Sequence, residues 1–353
     1  MSIPEEEVEL PPPAGSPPRR RLRRIVLMLF LLFVILVASA AGYTVWAMGG
    51  TPNGKPVRVI IPEGASGADI ATLLAKAGVV RSAFIFRIVA RIRGVGGDLK
   101  PGAYDLHTGL GVSAAITALR NGVPIKVNRV VIPEGKTVLE IARIVERSTG
   151  ISANTFLRAA SSGRHRLAIM PSGSRNLEGL LFPKSYEFVE KTTADEMIDA
   201  MLQQFQTETA GLDLSKARAL GISAYQAVIV ASLIEREAKV ENDRPLIASV
   251  IYNRLHRGQQ LQIDATVEYA ILLRTGSYKN PLTFEDLKID SPFNTYRIPA
   301  LPPAPIASPG LPALQAALSP AKTDYFYYVL KSDQRSHCFA RNEAEFRRCR
   351  NAA

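Results

Sequence analysis

The hydrophobic pattern divides the chain before any chemistry is considered. Residues 1–18 are acidic and proline-rich, five arginines follow between Arg19 and Arg24, and Ile25–Trp46 then runs for 22 residues without a charge. A helix of that length reaches about 33 Å, enough to cross a hydrocarbon core of roughly 30 Å. The arginines precede the run, and Lys55 and Arg58 are the first basic residues after it. The positive-inside bias therefore predicts residues 1–24 as a disordered cytoplasmic tail, 25–46 as a transmembrane helix, and everything beyond as exported. Ala38-Ser39-Ala40 also has the small-x-small form of a signal-peptide cleavage site behind an apolar run from Ile25 to Val37. The long charged segment ahead of it, and Tyr43, Val45 and Trp46 after it, favour a retained anchor; both readings export the globular part.

Residues 47–56, with GGTPNG at their centre, read as a linker. Beyond it the pattern echoes itself. Val57–Leu74 (VRVIIPEGASGADIATLL) and Asn128–Val145 (NRVVIPEGKTVLEIARIV) each run a β-branched strand into Ile-Pro-Glu-Gly and then an amphipathic helix. Further helices are predicted at Phe84–Ile92, Val112–Leu119, Ala153–Ser161 and Thr193–Glu208. Strands are predicted at Lys100–Leu106 and near Tyr325–Leu330, with a proline-rich stretch from Ile298 to Pro312. The fold class is α+β: one N-terminal transmembrane helix, a small module over 57–125 and a larger α+β domain over 126–345.

Charge and cysteines narrow the function classes. Lys plus Arg exceed Asp plus Glu by 43 to 32, but the excess is spread thinly apart from Arg19–Arg24 and the terminal Arg347, Arg348 and Arg350. With no zinc-finger spacing and one Trp, nucleic acid is not the partner this sequence suggests. Two cysteines, Cys338 and Cys349, and four scattered histidines supply neither a disulfide framework nor a four-ligand metal site. In an exported domain the two cysteines can form one terminal bridge; otherwise they are ordinary thiols. No Walker A or dinucleotide-binding pattern occurs, so no cofactor and no metal are expected.

The most informative segment is Ser223–Val240. Ser223 and Gln226 form a capping box, and Ala224, Ala227, Val228, Ile229, Val230, Ala231, Leu233 and Ile234 are apolar around most of the circumference, which predicts a helix surrounded by protein. Glu235, Arg236 and Glu237 then arrive at its C-terminal end. At about 100° per residue Glu237 falls in line with Val230, Leu233 and Ile234, and Glu235 points roughly 160° away. A carboxyl against branched apolar side chains has its charged form disfavoured and can serve as a general acid. The plainer alternative is an ion pair of Glu237 with Arg236 or Arg244. A second helix follows Asn242-Asp243-Arg244-Pro245, with Leu246, Ile247, Val250, Ile251 and Leu255 as its buried stripe. Two polar clusters come next: Leu261–Tyr269, with Gln262, Asp264 and Thr266, and Asn294-Thr295-Tyr296-Arg297. Both mix hydrogen-bonding groups with aromatic faces, as sugar recognition requires, although a polar surface loop explains either alone.

Taken together these segments resemble the endolytic murein transglycosylases, the YceG-like family. The resemblance is carried by Ala231-Ser232-Leu233-Ile234-Glu235-Arg236-Glu237, Tyr252-Asn253-Arg254-Leu255, Leu261-Gln262-x-Asp264-x-Thr266, Asn294-Thr295-Tyr296, Leu301-Pro302-Pro303 and Glu178-Gly179-x-Leu181-Phe182-Pro183. Ala265 stands where the pattern commonly has proline, Ala300 and Ala304 where it often has glycine, and Lys184-Ser185 where Asp-Thr is common. The resemblance implies a LysM-like module over 57–125 and a catalytic domain over 126–345. It implies Glu237 as catalytic acid, with Tyr252, Asn253, Gln262, Asp264, Thr266, Asn294, Thr295 and Tyr296 around the substrate. The implied activity is a lyase reaction, cleavage of MurNAc–GlcNAc bonds within peptidoglycan strands to leave 1,6-anhydroMurNAc ends. For an enzyme of that kind the short linker, which tethers it close to the membrane, points to terminating nascent strands in cell wall biogenesis. The implied setting is the inner membrane with the catalytic domain in the periplasm, and peptidoglycan synthases are the candidate partners. A non-catalytic peptidoglycan-binding scaffold of the synthesis machinery is the alternative.

Overall fold

The computed structural model describes residues 19–51, 54–95, 97–122 and 124–352; the predicted tail over 1–18 and the centre of the GGTPNG linker lie outside them. The chain divides into two compact units between Lys126 and Val127.

The first unit opens with helix α1, Arg19–Met48, whose stretch Arg24–Met48 is long and apolar enough to cross a membrane. Arg19–Arg24, assigned above to the disordered tail, belong to this helix, because arginine is a good helix former and continues the turns the apolar run establishes. At the other end the linker expectation needs correction too. Ala47 is fully buried, and Thr51 donates its N–H to Gly109 O at 2.6 Å, so the residues leaving α1 are fastened rather than free. Strand β1 (Pro56–Ile61), α2 (Gly67–Lys76), α3 (Ala83–Ile92), strand β2 (Gly102–His107) and α4 (Val112–Asn121) complete the unit. β1 and β2 pair antiparallel, from Pro56 opposite His107 to Ile61 opposite Gly102. Val59, Ile61, Leu74, Phe86 and Leu119 form its core.

The second unit repeats the opening. Strand β3 (Val127–Val131) runs through Ile-Pro-Glu-Gly into α5 (Val138–Thr149), as β1 runs into α2. Gly64 and Gly135 occupy the left-handed region at φ +76° and +74°, which favours glycine in both turns. Each following helix starts with a capping box, Ser66 with Asp69 and Thr137 with Glu140. After α6 (Ala153–Ala160), strand β4 (Ser185–Val189) pairs antiparallel with β3, and α7 (Ala194–Thr209) and the short α8 (Lys216–Ala219) follow.

A helical layer then carries the core. It comprises α9 (Ala224–Glu237), α10 (Arg244–His256), α11 (Asp264–Thr275) and α12 (Leu311–Leu318). α9 is central, packed by both α10 and α12, and Tyr225 through Ile234, apart from Gln226, are buried. The chain closes with strands β5 (Tyr327–Leu330) and β6 (His337–Ala340), an antiparallel hairpin, and α13 (Glu343–Asn351). Cys338 and Cys349 are joined in a disulfide that fastens α13 to the hairpin. Closing so short a loop removes about 3 kcal/mol of denatured-state entropy in the chain-entropy description. Replacing both cysteines by serine should lower the unfolding free energy by about that amount, read from denaturant melts.

Candidate active site

The C-terminal turn of α9 sends three consecutive side chains to three destinations. Ala238 leaves the helix in an extended conformation (ψ 123°), so Glu237 is the last helical residue. Glu235 accepts the N–H of Gly310 at 3.0 Å, at the start of α12; burial is the main cause that raises its pKa. Arg236 pairs with Glu268 at 3.1 Å and lies over the Tyr278 ring at 5.1 Å. Glu237 makes neither ion pair considered for it, since Arg236 is committed to Glu268 and Arg244 acts on Glu235.

Glu237 is half-buried in the wall of a cleft of about 600 Å³, beside Gln262, Asp264, Tyr296, Tyr327 and Tyr328. Its Oε2 accepts the Tyr328 hydroxyl at 3.0 Å, and its Oε1 has no hydrogen-bond partner among the described residues. Burial pushes its pKa up from 4.5 to about 7. The hydrogen bond from Tyr328 opposes that shift, and the charges of Asp264 and Glu268 reinforce it. A carboxyl in this state keeps its proton close to neutral pH and regains it readily after donating it, as general acid–base chemistry requires.

The residues expected around the substrate separate into two groups. Gln262, Asp264 and Tyr296 line the cleft with Glu237. Asp264 is exposed at the first position of α11 and accepts the Tyr296 hydroxyl. Gln262 adopts the left-handed region (φ +54°), unusual for a residue with a side chain. Its N–H reaches Thr295 O at 3.1 Å and its side-chain oxygen accepts from Arg254 at 3.2 Å.

The other group stands behind the cleft wall. Thr266, Asn294 and Thr295 are fully buried, and direct sugar contact is not their position. The Thr295 hydroxyl accepts the Ile263 N–H at 3.0 Å and meets the Thr266 hydroxyl at 2.9 Å. Asn294 donates to Leu287 O and Ile289 O at 2.9 and 2.8 Å and accepts the Tyr296 N–H at 3.0 Å. Together they fix the loops that present Gln262 and Tyr296. Asn253 donates to the carbonyls of Thr323 and Tyr325 at 2.9 and 2.8 Å, anchoring the approach to β5. The Tyr252 hydroxyl is given to Ala317 O, and its ring lines a different cavity, of about 590 Å³, with Tyr225, His256 and Leu301-Pro302-Pro303.

Several site residues were read only as parts of elements or motifs. Tyr327 and Tyr328 were seen as strand residues, yet both line the cleft. The hairpin that carries them is pinned by His337, whose Nδ1 and backbone N–H both lie 2.8 Å from Asp243 Oδ2, and whose ring meets Tyr328 edge to face. Arg254 supports the wall from the other side, donating to Phe326 O and Leu261 O at 2.6 and 2.9 Å. Glu178 is buried, accepting the Val138 N–H and the Tyr269 hydroxyl; burial raises its pKa to about 8. It ties α5 to α11. The four tyrosine or phenylalanine residues in succession at 325–328 were the available signal for the hairpin's role; nothing local marked Glu178 as a buried acid. Among the described residues no group of three His, Cys, Asp or Glu side chains is arranged to hold a metal.

The chain is similar to several known proteins. A Bacillus subtilis protein named endolytic murein transglycosylase is 34% identical over 293 residues, covering 78% of this chain and 79% of the relative. A Streptococcus pneumoniae protein of the same name is 32% identical over 317 residues. That match covers 82% of this chain but 57% of the relative, so the chain spans little more than half of it. The crystal structure of a YceG-like protein from Listeria monocytogenes aligns with a TM-score of 0.56 at 29% identity, covering 83% of this chain and 98% of that one. A profile of the YceG-like family matches residues 59–352, from the first strand to the last helix, and the chain belongs to that family.

Proposed function

We propose that the protein is a membrane-anchored lytic transglycosylase that cuts peptidoglycan strands internally between N-acetylmuramic acid and N-acetylglucosamine. The observation that carries the reading is Glu237: one carboxyl with a raised pKa, one oxygen held by Tyr328 and the other unengaged among the described residues, in a cleft lined by tyrosines and an amide. The name shared by the Bacillus and Streptococcus relatives supports the substrate.

In this mechanism protonated Glu237 donates to the glycosidic oxygen, and the C1–O bond breaks to an oxocarbenium-like sugar. The C6 hydroxyl of the same muramic acid then attacks C1 and returns its proton to the Glu237 carboxylate, closing a 1,6-anhydro ring and restoring the acid. No water is activated, so the second carboxylate of a glycoside hydrolase is not needed. Gln262 and Tyr296 position the sugars, and the Asp264 carboxylate stabilises the developing positive charge. A hydrolase working through Asp264 would instead leave reducing ends. Mass analysis of peptidoglycan fragments separates the two: the expected new muramic acid ends are lighter by one water, and reducing ends alone would overturn the reading.

In this reading the apolar α1, long enough to cross a membrane, is the anchor in the inner membrane, with the N-terminus cytoplasmic and both globular units in the periplasm. There the first unit acts as a LysM-like glycan holder and the enzyme terminates nascent strands beside the synthases. A check on the acid is Tyr328→Phe. The tyrosine hydrogen bond favours the ionised carboxylate, so its loss raises the Glu237 pKa and moves the alkaline limb of the pH–rate profile up by roughly one pH unit. An unmoved limb would show that the limb reports another group.

A further inference from the structure

Helix α3 is apolar on two sides, and only one of them is used. Ile85, Phe86 and Ala90 are buried in the first unit's core. Phe84, Ile88 and Ile92, spaced four apart and therefore on one stripe, are 60, 39 and 79% exposed. Arg87 and Arg91 border the stripe on one side, both exposed and without a carboxylate partner among the described residues. No acidic residue occurs between Arg81 and Asp98.

The stripe begins where α1 ends. Arg81 donates to Trp46 O at 2.7 Å and its guanidinium lies 5.0 Å from the Trp46 ring centroid, while the Tyr43 hydroxyl reaches the Ser82 hydroxyl at 3.4 Å. Tyr43 and Trp46 occupy the end of the apolar run, where aromatic residues mark a membrane–water interface. The first turn of α3 is thus held beside the end of the apolar run by contacts within its own unit.

We propose that α3 is an interfacial helix. Its Phe84–Ile88–Ile92 stripe enters the outer surface of the membrane that holds α1, and Arg87 and Arg91 engage anionic lipid phosphates along its edge. An amphipathic helix rich in arginine with Phe and Ile on the other face is suited to that position. Docked in this way, α3 fixes the first unit against the bilayer rather than leaving it to swing on a tether. The proposal rests on the reading of α1 as a membrane anchor, and the test separates the two.

The full chain carrying Ile92→Cys, labelled there with an environment-sensitive fluorophore, is placed in nanodiscs of phosphatidylcholine and phosphatidylglycerol, with and without nitroxide-bearing lipid. The paired Cys338 and Cys349 leave the new thiol as the single reactive one. The single Trp46 reports the anchor in the same sample. The expected result is a loss of emission at both sites in nitroxide discs, with the loss at position 92 reduced when Arg87→Glu and Arg91→Glu are added. Quenching of Trp46 without quenching at position 92 overturns the interfacial helix and leaves the anchor standing. A label that shifts to the blue but escapes the nitroxide lipid, the sign of a protein partner or a second copy on the stripe, overturns it as well. Quenching at neither site overturns the anchor itself.

Discussion

Replacing Glu237 by glutamine is expected to lower peptidoglycan cleavage roughly 10³-fold or more, because one side chain both delivers the proton to the leaving oxygen and takes up the proton of the attacking hydroxyl. The amide keeps the size of the carboxyl and can still accept from Tyr328, so the fold is retained. Stability responds to pH with a definite sign. The Glu237 pKa rises from 4.5 to about 7 on folding, so between those values the folded protein holds a proton that the unfolded chain has released. Stability therefore falls as pH rises through that window and levels off above it. Glutamine does not titrate. The variant should match the parent near pH 4.5 and become more stable by on the order of 1–3 kcal/mol above pH 7. An inactive variant with no such divergence in pH-dependent melts would place the ionisation elsewhere.

The second large effect is expected from a residue that touches no substrate. Asn294 is fully buried, and its three hydrogen bonds hold the carbonyls of Leu287 and Ile289 and the N–H of Tyr296. Asn294→Ala leaves these groups unsatisfied inside the protein, each at a cost of about 1–3 kcal/mol before relaxation. The expected net loss is about 3 kcal/mol of unfolding free energy, together with lower activity through misplacement of Tyr296. A purely sugar-binding asparagine would instead raise KM and leave the melt unchanged.

That contrast shows what the sequence makes legible. α9 was predictable because a capping box, an unbroken apolar circumference and a charged end all point to one buried helix, and the wheel alone separates Glu237 from Glu235. The duplicated strand–turn–helix was equally visible, since Pro and Gly punctuate both copies at the same step. The polar clusters were not resolved. Thr266, Asn294 and Thr295 look identical to ligand-binding residues in one dimension, and only three-dimensional burial shows their polar atoms spent on backbone. α11 was hidden for a related reason: polar residues between Gln262 and Glu268 mask the apolar face made by Val267, Ala270 and Ile271. α12 lay in the shadow of the preceding prolines, although Pro312 is acceptable in a first helical turn. The hairpin's place at the site depends on contacts between Asp243 and His337, 94 positions apart, which no local pattern encodes.

The central claim is that Glu237 stays protonated near neutral pH within the open cleft. Isotope-edited infrared titration of protein labelled with carboxyl-¹³C glutamate, taken as a difference against Glu237→Gln, reads that group alone. A protonated carboxyl band that disappears with a midpoint near 7 is the predicted result. A midpoint near the ordinary 4.5 would contradict the account.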